Sequence, residues 1–188
     1  MLGFGDTWPT RTMADPQTSS LLRHFLAALA YRTQKALRGA PADFGVFRVE
    51  AHVRTPMELV QHMTSVLGFA RTFLVGGSYR AEPLPTLNDE VTRFHALLED
   101  LGKHLKQGSP LLSGMTAERL LQGPFADAMT HAGQLAMLRR LAGSPVAPED
   151  FSLADVTAER LGLDQAKPVG PDAVWPEAPR GWKHDGTE

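Results

Sequence analysis

The chain has 188 residues, 43% of them hydrophobic and 21% charged, which suits one globular domain with its own core and excludes wholesale disorder. Its formal charge of −2, from 19 basic and 21 acidic residues, gives no general electrostatic reason to bind nucleic acid or an anionic membrane. There is no cysteine, so any metal site must use His, Asp, Glu or backbone oxygen, and disulfides, thiolate ligands and a cysteine nucleophile are excluded.

The opening MLGFGDTWPTRTMADP has two prolines, an early acid and no apolar h-region, so it does not read as a signal peptide. Residues 1–15 read as irregular. From Pro16 to Leu37, apolar residues at Leu22, Phe25, Leu26, Leu29 and Leu37 follow helical spacing, and Gly39 with Pro41 ends the run. Its apolar core, Phe25 to Tyr31, falls far short of the ~20 residues that cross a bilayer. The expectation is a soluble, cytoplasmic protein with no membrane partner. Residues 39–54 read as a long loop, in which Phe44 to Val49 could form a short extended piece without a partner strand.

The second helix has the clearest start: Thr55 as N-cap, Pro56 at the first helical position and Glu58 three after the cap. Its stripe is Leu59, Met63, Val66, Ala70, Phe73 and Leu74, and Gly76-Gly77 stops it. The third helix is expected from about Asn88 to Lys106, with a stripe of Val91, Phe94, Leu98, Leu101 and Leu105. The fourth begins near Thr116 and runs through Leu120, Phe125, Leu135, Leu138 and Leu141, with a kink or break expected at Pro124. Leu153 to Leu161 is a candidate short helix. Residues 164–188 hold four prolines besides Trp175 and Trp182, and read as an irregular tail wrapping the surface. The chain thus reads as an all-α four-helix bundle over residues 1–163, followed by this tail.

There is no Walker loop, no G-x-G-x-x-G, no G-x-S-x-G and no H-E-x-x-H, and no aromatic-and-basic pattern for base stacking. The chemistry lies instead in polar residues on apolar stripes. Asp127 and His131 are four apart and share a helix face with Leu135 and Leu138. His62 lies between Leu59 and Val66 on the second helix. If these faces meet in the core, a buried carboxylate demands a partner or a cation. A divalent ion held by His62, Asp127 and His131 would satisfy all three and leave coordination positions open. Such a ligand set admits Zn²⁺, Ni²⁺, Mn²⁺ or Fe²⁺. The plainer alternative is an Asp–His hydrogen bond and a satisfied core histidine.

Other polar residues carry weaker signals. His24, His95 and His104 lie beside their stripes and read as solvated flanks. His52, before the second helix, could approach the bundle end as a spare ligand. Gln134 could orient a metal ligand from behind. Arg139 or Arg140 could hold an anionic substrate, although a solvated role at the helix C-terminus is the simpler reading.

The run from Gly123 to Gly143, above all His131-Ala-Gly-Gln-Leu-Ala-Met-Leu-Arg-Arg140, resembles the fourth helix of the DinB-like (DinB/YfiT-like) superfamily. Leu59-Val-Gln-His62-Met resembles that family's other ligand-bearing helix, and the likeness extends over roughly residues 16–163. The resemblance implies a four-helix bundle, often a homodimer. It also implies a divalent metal, usually Zn²⁺ or Ni²⁺, held by three histidines. His131 matches the second histidine of the family's His-x-x-x-His and His62 the helix-two ligand, whereas Asp127 stands where the first histidine of the pair would be.

Two functional classes follow. The resemblance implies a metal-dependent enzyme, a thiol-dependent transferase or isomerase, and a hydrolase could use the same site. In that scheme His62, Asp127 and His131 hold the ion, Gln134 orients the shell and Arg140 steers an anionic small-molecule co-substrate. The alternative is a non-catalytic dimeric bundle that binds a small molecule or partner without metal.

Overall fold

In a computed structural model, residues 15–169 are described, and among them every regular element is helical. Helix α1 spans Pro16–Leu37, α2 Pro56–Val75 and α3 Leu87–Lys106. The fourth rod consists of a short α4 (Ala117–Leu120), a π-helical segment Leu121–Phe125 and α5 (Ala126–Leu141). The principal contacts run α1 to α3, α3 to α2, α2 to α5 and α5 back to α1, which closes a four-helix ring. No helix among the described residues is long and apolar enough to cross a membrane.

Local chemistry sets the helix ends. Asp15 caps α1, its carboxylate accepting from the backbone N–H groups of Gln17 and Thr18 at 2.9 and 3.0 Å, with Pro16 behind it. At α2 the expected capping box is formed: the Thr55 hydroxyl accepts from the Glu58 N–H at 3.2 Å, and Glu58 Oε2 accepts from the Thr55 N–H at 2.7 Å. Gly76 and Gly77, with φ of 77° and 78°, adopt the left-handed conformation that stops α2. Thr86 caps α3, which begins at Leu87, one residue before the expected start. The loop between α1 and α2 contains no strand; Phe44–Val46 is a 3-10 turn whose Phe44 is buried in the core.

Pro124 has the expected effect. It offers no N–H, and its ring displaces the carbonyl four residues back, so the ladder widens into a π segment around Gly123, whose φ and ψ of −95° and −107° are non-helical. The core on which the rods close includes Leu26, Leu29, Met63, Leu67, Phe94, Leu98, Leu101, Phe125 and Leu135, all fully buried.

After Leu141 the chain wraps back over the bundle without the short helix expected at Leu153–Leu161; this stretch forms turns. Side chains of the bundle take the carbonyls that a helix would use. Arg23 donates to Ala158 O at 3.2 Å, Lys35 to Ala147 O at 2.8 Å and His95 Nδ1 to Leu161 O at 2.8 Å. Leu161 packs so tightly over Gly102 that a Cβ there would lie 2.1 Å from its Cδ1. Residues 164–169 continue the wrap, with Arg38 donating to Gln165 O and Ala166 O. Residues 1–14, and the rest of the expected tail with Trp175 and Trp182, lie outside the described residues.

Two further expectations are corrected by the packing. His95 is no solvated flank: the segment covers it and only 1% of its surface is exposed. Arg139 is likewise buried rather than solvated. Its guanidinium donates to Ala36 O, Arg38 O, Gly39 O, Ser144 O and Ser144 Oγ at 2.9–3.2 Å, and so ties the C-terminal end of α1 to that of α5.

Candidate metal centre

The pairing of α2 with α5 brings His62 opposite Asp127 and His131. His62 is on the second turn of α2; the other two occupy the first turns of α5, just after the π segment. One ligand-competent atom from each residue falls within 4.8 Å of the others, and the group can hold a metal ion. His131 Nε2 is 3.3 Å from Asp127 Oδ1, and His62 Nε2 is 3.9 Å from Asp127 Oδ2. Two ligand atoms each ~2.1 Å from a shared ion at a tetrahedral angle stand about 3.4 Å apart, so the group would draw in slightly around an ion. The two imidazoles meet edge to face, with ring centroids 4.8 Å apart.

Burial across the group is graded. His131 is buried, His62 is half-buried and the Asp127 side chain is 48% exposed. The sequence reading placed Asp127 on the core face. Instead it lies on an exposed edge of α5 with Thr130 and Gln134, and the group forms the rim of the bundle. Water therefore solvates the carboxylate, and desolvation of Asp127 does not by itself demand a cation.

His131 makes the stronger demand. Its Nδ1 is 2.8 Å from the Gln134 side-chain amide, so the tautomer with its proton on Nδ1 donates to the amide oxygen. In that tautomer the buried Nε2 is a bare lone pair with Asp127 Oδ1 3.3 Å away. It faces Asp127, also an acceptor in its ionised form. Two acceptors 3.3 Å apart need a positive charge between them, either a proton or a metal cation. Gln134 thus stands where the sequence placed it, behind the ligand. At His62, burial holds the imidazole below its ordinary pKa, reinforced by the Arg54 and His131 charges and opposed by Asp127. A neutral imidazole is the form that ligates a metal.

Two clefts meet at His62 and Ser65. One is polar and lined by Arg48, His52, Arg54, Glu58 and Gln61. The other is mainly apolar and runs along Val66, Phe69, Pro124 and Ala126 to Asp127 and Thr130. Arg48 is committed to Glu58 by paired contacts of 3.0 and 3.1 Å. His52 lines the polar cleft and is not part of the three-residue group. Arg140, expected at this site, lines neither cleft; it borders a separate cavity on another face of α5. The cation near the site that sequence reasoning missed is Arg54. Its position just before the α2 cap was the available signal, since it puts the side chain at the end of the helix that carries His62.

No family model matches the chain, and neither a curated protein nor a solved structure matches it.

Proposed function

We propose that the protein is a metal-dependent enzyme in which His62, Asp127 and His131 hold a divalent ion, with Zn²⁺ or Ni²⁺ favoured and Mn²⁺ or Fe²⁺ compatible with the carboxylate. The observation that carries this reading is the convergence of His62, Asp127 and His131, one ligand-competent atom from each lying within 4.8 Å of the others, with Gln134 bonded behind the His131 ring. A divalent ion supplies Lewis acidity, lowering the pKa of a thiol or water set against it at neutral pH.

The surrounding residues suit a reaction between two unlike partners. Arg54 gives the polar cleft a cation that can orient an anionic co-substrate such as a low-molecular-weight thiol. The cleft past Val66 and Phe69 offers apolar surface to an electrophile. Exposed Asp127 leaves the junction open to both. Thiol transfer or isomerisation fits this arrangement, and hydrolysis is the variant in which water replaces the thiol. The resemblance to the DinB-like superfamily supports the same reading and adds homodimer assembly, which light scattering on the purified chain tests.

The deciding experiment is elemental analysis of tag-free protein, wild type beside His62→Ala, Asp127→Ala and His131→Ala. The expected result is near one ion per chain, lost in all three variants, followed by turnover when thiols are screened with electrophiles. If wild-type protein takes up no Zn²⁺, Ni²⁺, Mn²⁺ or Fe²⁺ after incubation with each, the enzyme reading is wrong. A proton then bridges His131 and Asp127, and the bundle is a metal-free binding protein.

A further inference from the structure

A second cavity lies between α1, α5 and the crossing segment at residues 146–151, and shares no lining residue with the two clefts at the metal group. Every charged side chain that lines it is a cation: Arg32, Lys35 and Arg140. Lys35 is engaged, donating to Ala147 O at 2.8 Å and pairing with buried Glu149 at 3.2 Å. Arg32 lies flat over the Phe151 ring, its guanidinium carbon 3.8 Å from the ring centroid. Stacking uses the face of the guanidinium and leaves its N–H edge to grip a carboxylate, with the Glu149 charge also acting on Arg32. Arg140 is exposed at the end of α5 and forms no ion pair among the described residues.

The remaining lining is apolar or small. Met137, Val146, Pro148 and Phe151 supply walls, and Gly133 has nothing within 4 Å of where a Cβ would stand. The cavity holds about 280 Å³. A cavity of ~150 Å³ accepts benzene, so one ring with a short charged group fits. Cations set among apolar walls select for an amphipathic anion over a bare one.

We infer that this cavity is a second ligand site, for a single-ring aromatic carboxylate whose anionic group is held by Arg32 and Arg140 and whose ring packs on Met137 and Phe151. The inference rests on this cavity alone and does not depend on metal at the other site.

Benzoate is the probe, titrated into full-length protein freed of metal by chelator and followed by calorimetry and ligand-observed NMR. Stripping the metal, and repeating with His131→Ala, prevents the carboxylate from being captured at the metal group. Benzoate is expected to bind at least tenfold more tightly than neutral benzamide and than acetate, which lacks the ring. Arg32→Gln and Arg140→Gln should each weaken it about tenfold. Gly133→Leu fills the space at an exposed helical position and should abolish binding without lowering the melting temperature. Benzamide or inorganic phosphate binding as well as benzoate, or benzoate binding unchanged in the arginine variants, would overturn the inference. Benzoate binding confined to metal-loaded wild type would overturn it too, and would assign the carboxylate to the first site.

Discussion

Replacing Gln134 with Ala tests the metal group through a residue that touches no candidate ligand atom except one imidazole nitrogen. The Gln134 side chain is exposed, and its one recorded bond is the 2.8 Å contact with His131 Nδ1, so the substitution leaves the core intact. Losing the acceptor frees the imidazole to rotate and to move its proton to Nε2, the nitrogen facing Asp127. Removal of such an outer partner typically weakens metal binding about 10- to 100-fold. At an ion concentration 100 times the wild-type dissociation constant, binding stabilises the fold by ~2.7 kcal/mol. A tenfold weaker site at the same concentration yields only ~1.4 kcal/mol. For a domain of this size the difference is a fall of ~3–5 °C in the metal-induced rise of melting temperature. Differential scanning calorimetry with and without Zn²⁺, beside a competition titration against a chromophoric chelator, reads both quantities. Gln134→Glu, which keeps an acceptor oxygen, should retain or tighten binding. Equal affinity in wild type and Gln134→Ala, with binding lost in His131→Ala, would refute the reasoning: the amide would not be setting the tautomer.

Arg139→Ala should cost at least ~3 kcal/mol, because charge-assisted hydrogen bonds are worth ~1.5–3 kcal/mol each and Arg139 makes five, one a backbone carbonyl at the buried end of α1. Arg139→Lys, lacking the planar fork, should recover less than half by urea denaturation. Gly68→Ala should destabilise by ~1–3 kcal/mol despite the better helix propensity of Ala, since the new Cβ would lie 1.9 Å from Cδ1 of the Tyr79 ring. In a Tyr79→Ala background the same change should become neutral or stabilising, and a double-mutant cycle measures the coupling. Burial holds the His95 imidazole below its ordinary 6.5, against the opposing bond to Leu161 O, so the fold favours the neutral ring. That contribution is present in full above pH 6.5 and is lost as pH falls through the folded value. Urea midpoints from pH 7 to pH 5 should therefore fall further for wild type than for His95→Gln.

The legible parts of this chain are those decided within one or two helical turns. Thr55, Pro56 and Glu58 fix the start of α2 by bonds spanning three residues, and Gly76-Gly77 ends it through backbone conformation alone. Pro124 distorts the fourth rod through its own ring and missing N–H, so the disruption could be placed to the residue. His62 and His131 were legible as polar interruptions of apolar stripes. His95 and Arg139 were not: His95 is covered by residues 142–169, a segment without periodicity whose path across the bundle leaves no local signature, and Arg139 turns onto the carbonyls at the C-terminal end of α1, which its own helix does not encode. A helical stripe reports which side faces the other rods and says nothing of what an irregular segment lays over the opposite side. The same limit explains the failed helix at 153–161, where the Ala158 and Leu161 carbonyls go to side chains more than 60 residues away in sequence.

Asp127 shows how one helix face divides chemically. Residues 128, 131, 132 and 135 of α5 are buried, whereas 127, 130 and 134 are exposed, so His131 stands at the boundary between the two sets. Four-residue spacing placed Asp127 and His131 on one face correctly but could not locate the water line crossing it. That line gives the group its character. One imidazole is buried in the bundle with its Nδ1 bonded to exposed Gln134, while the carboxylate reaches in from the solvent side. A carboxylate here is shorter than the imidazole of the family resemblance, and the separations of 3.3 and 3.9 Å show that it nevertheless stays within reach of both histidines. The π segment immediately before it is the feature that makes this possible. By opening the helical ladder at Gly123 and Pro124, it sets the rotation at which α5 begins, and so decides which residues of the first turn lie at the rim beside His62.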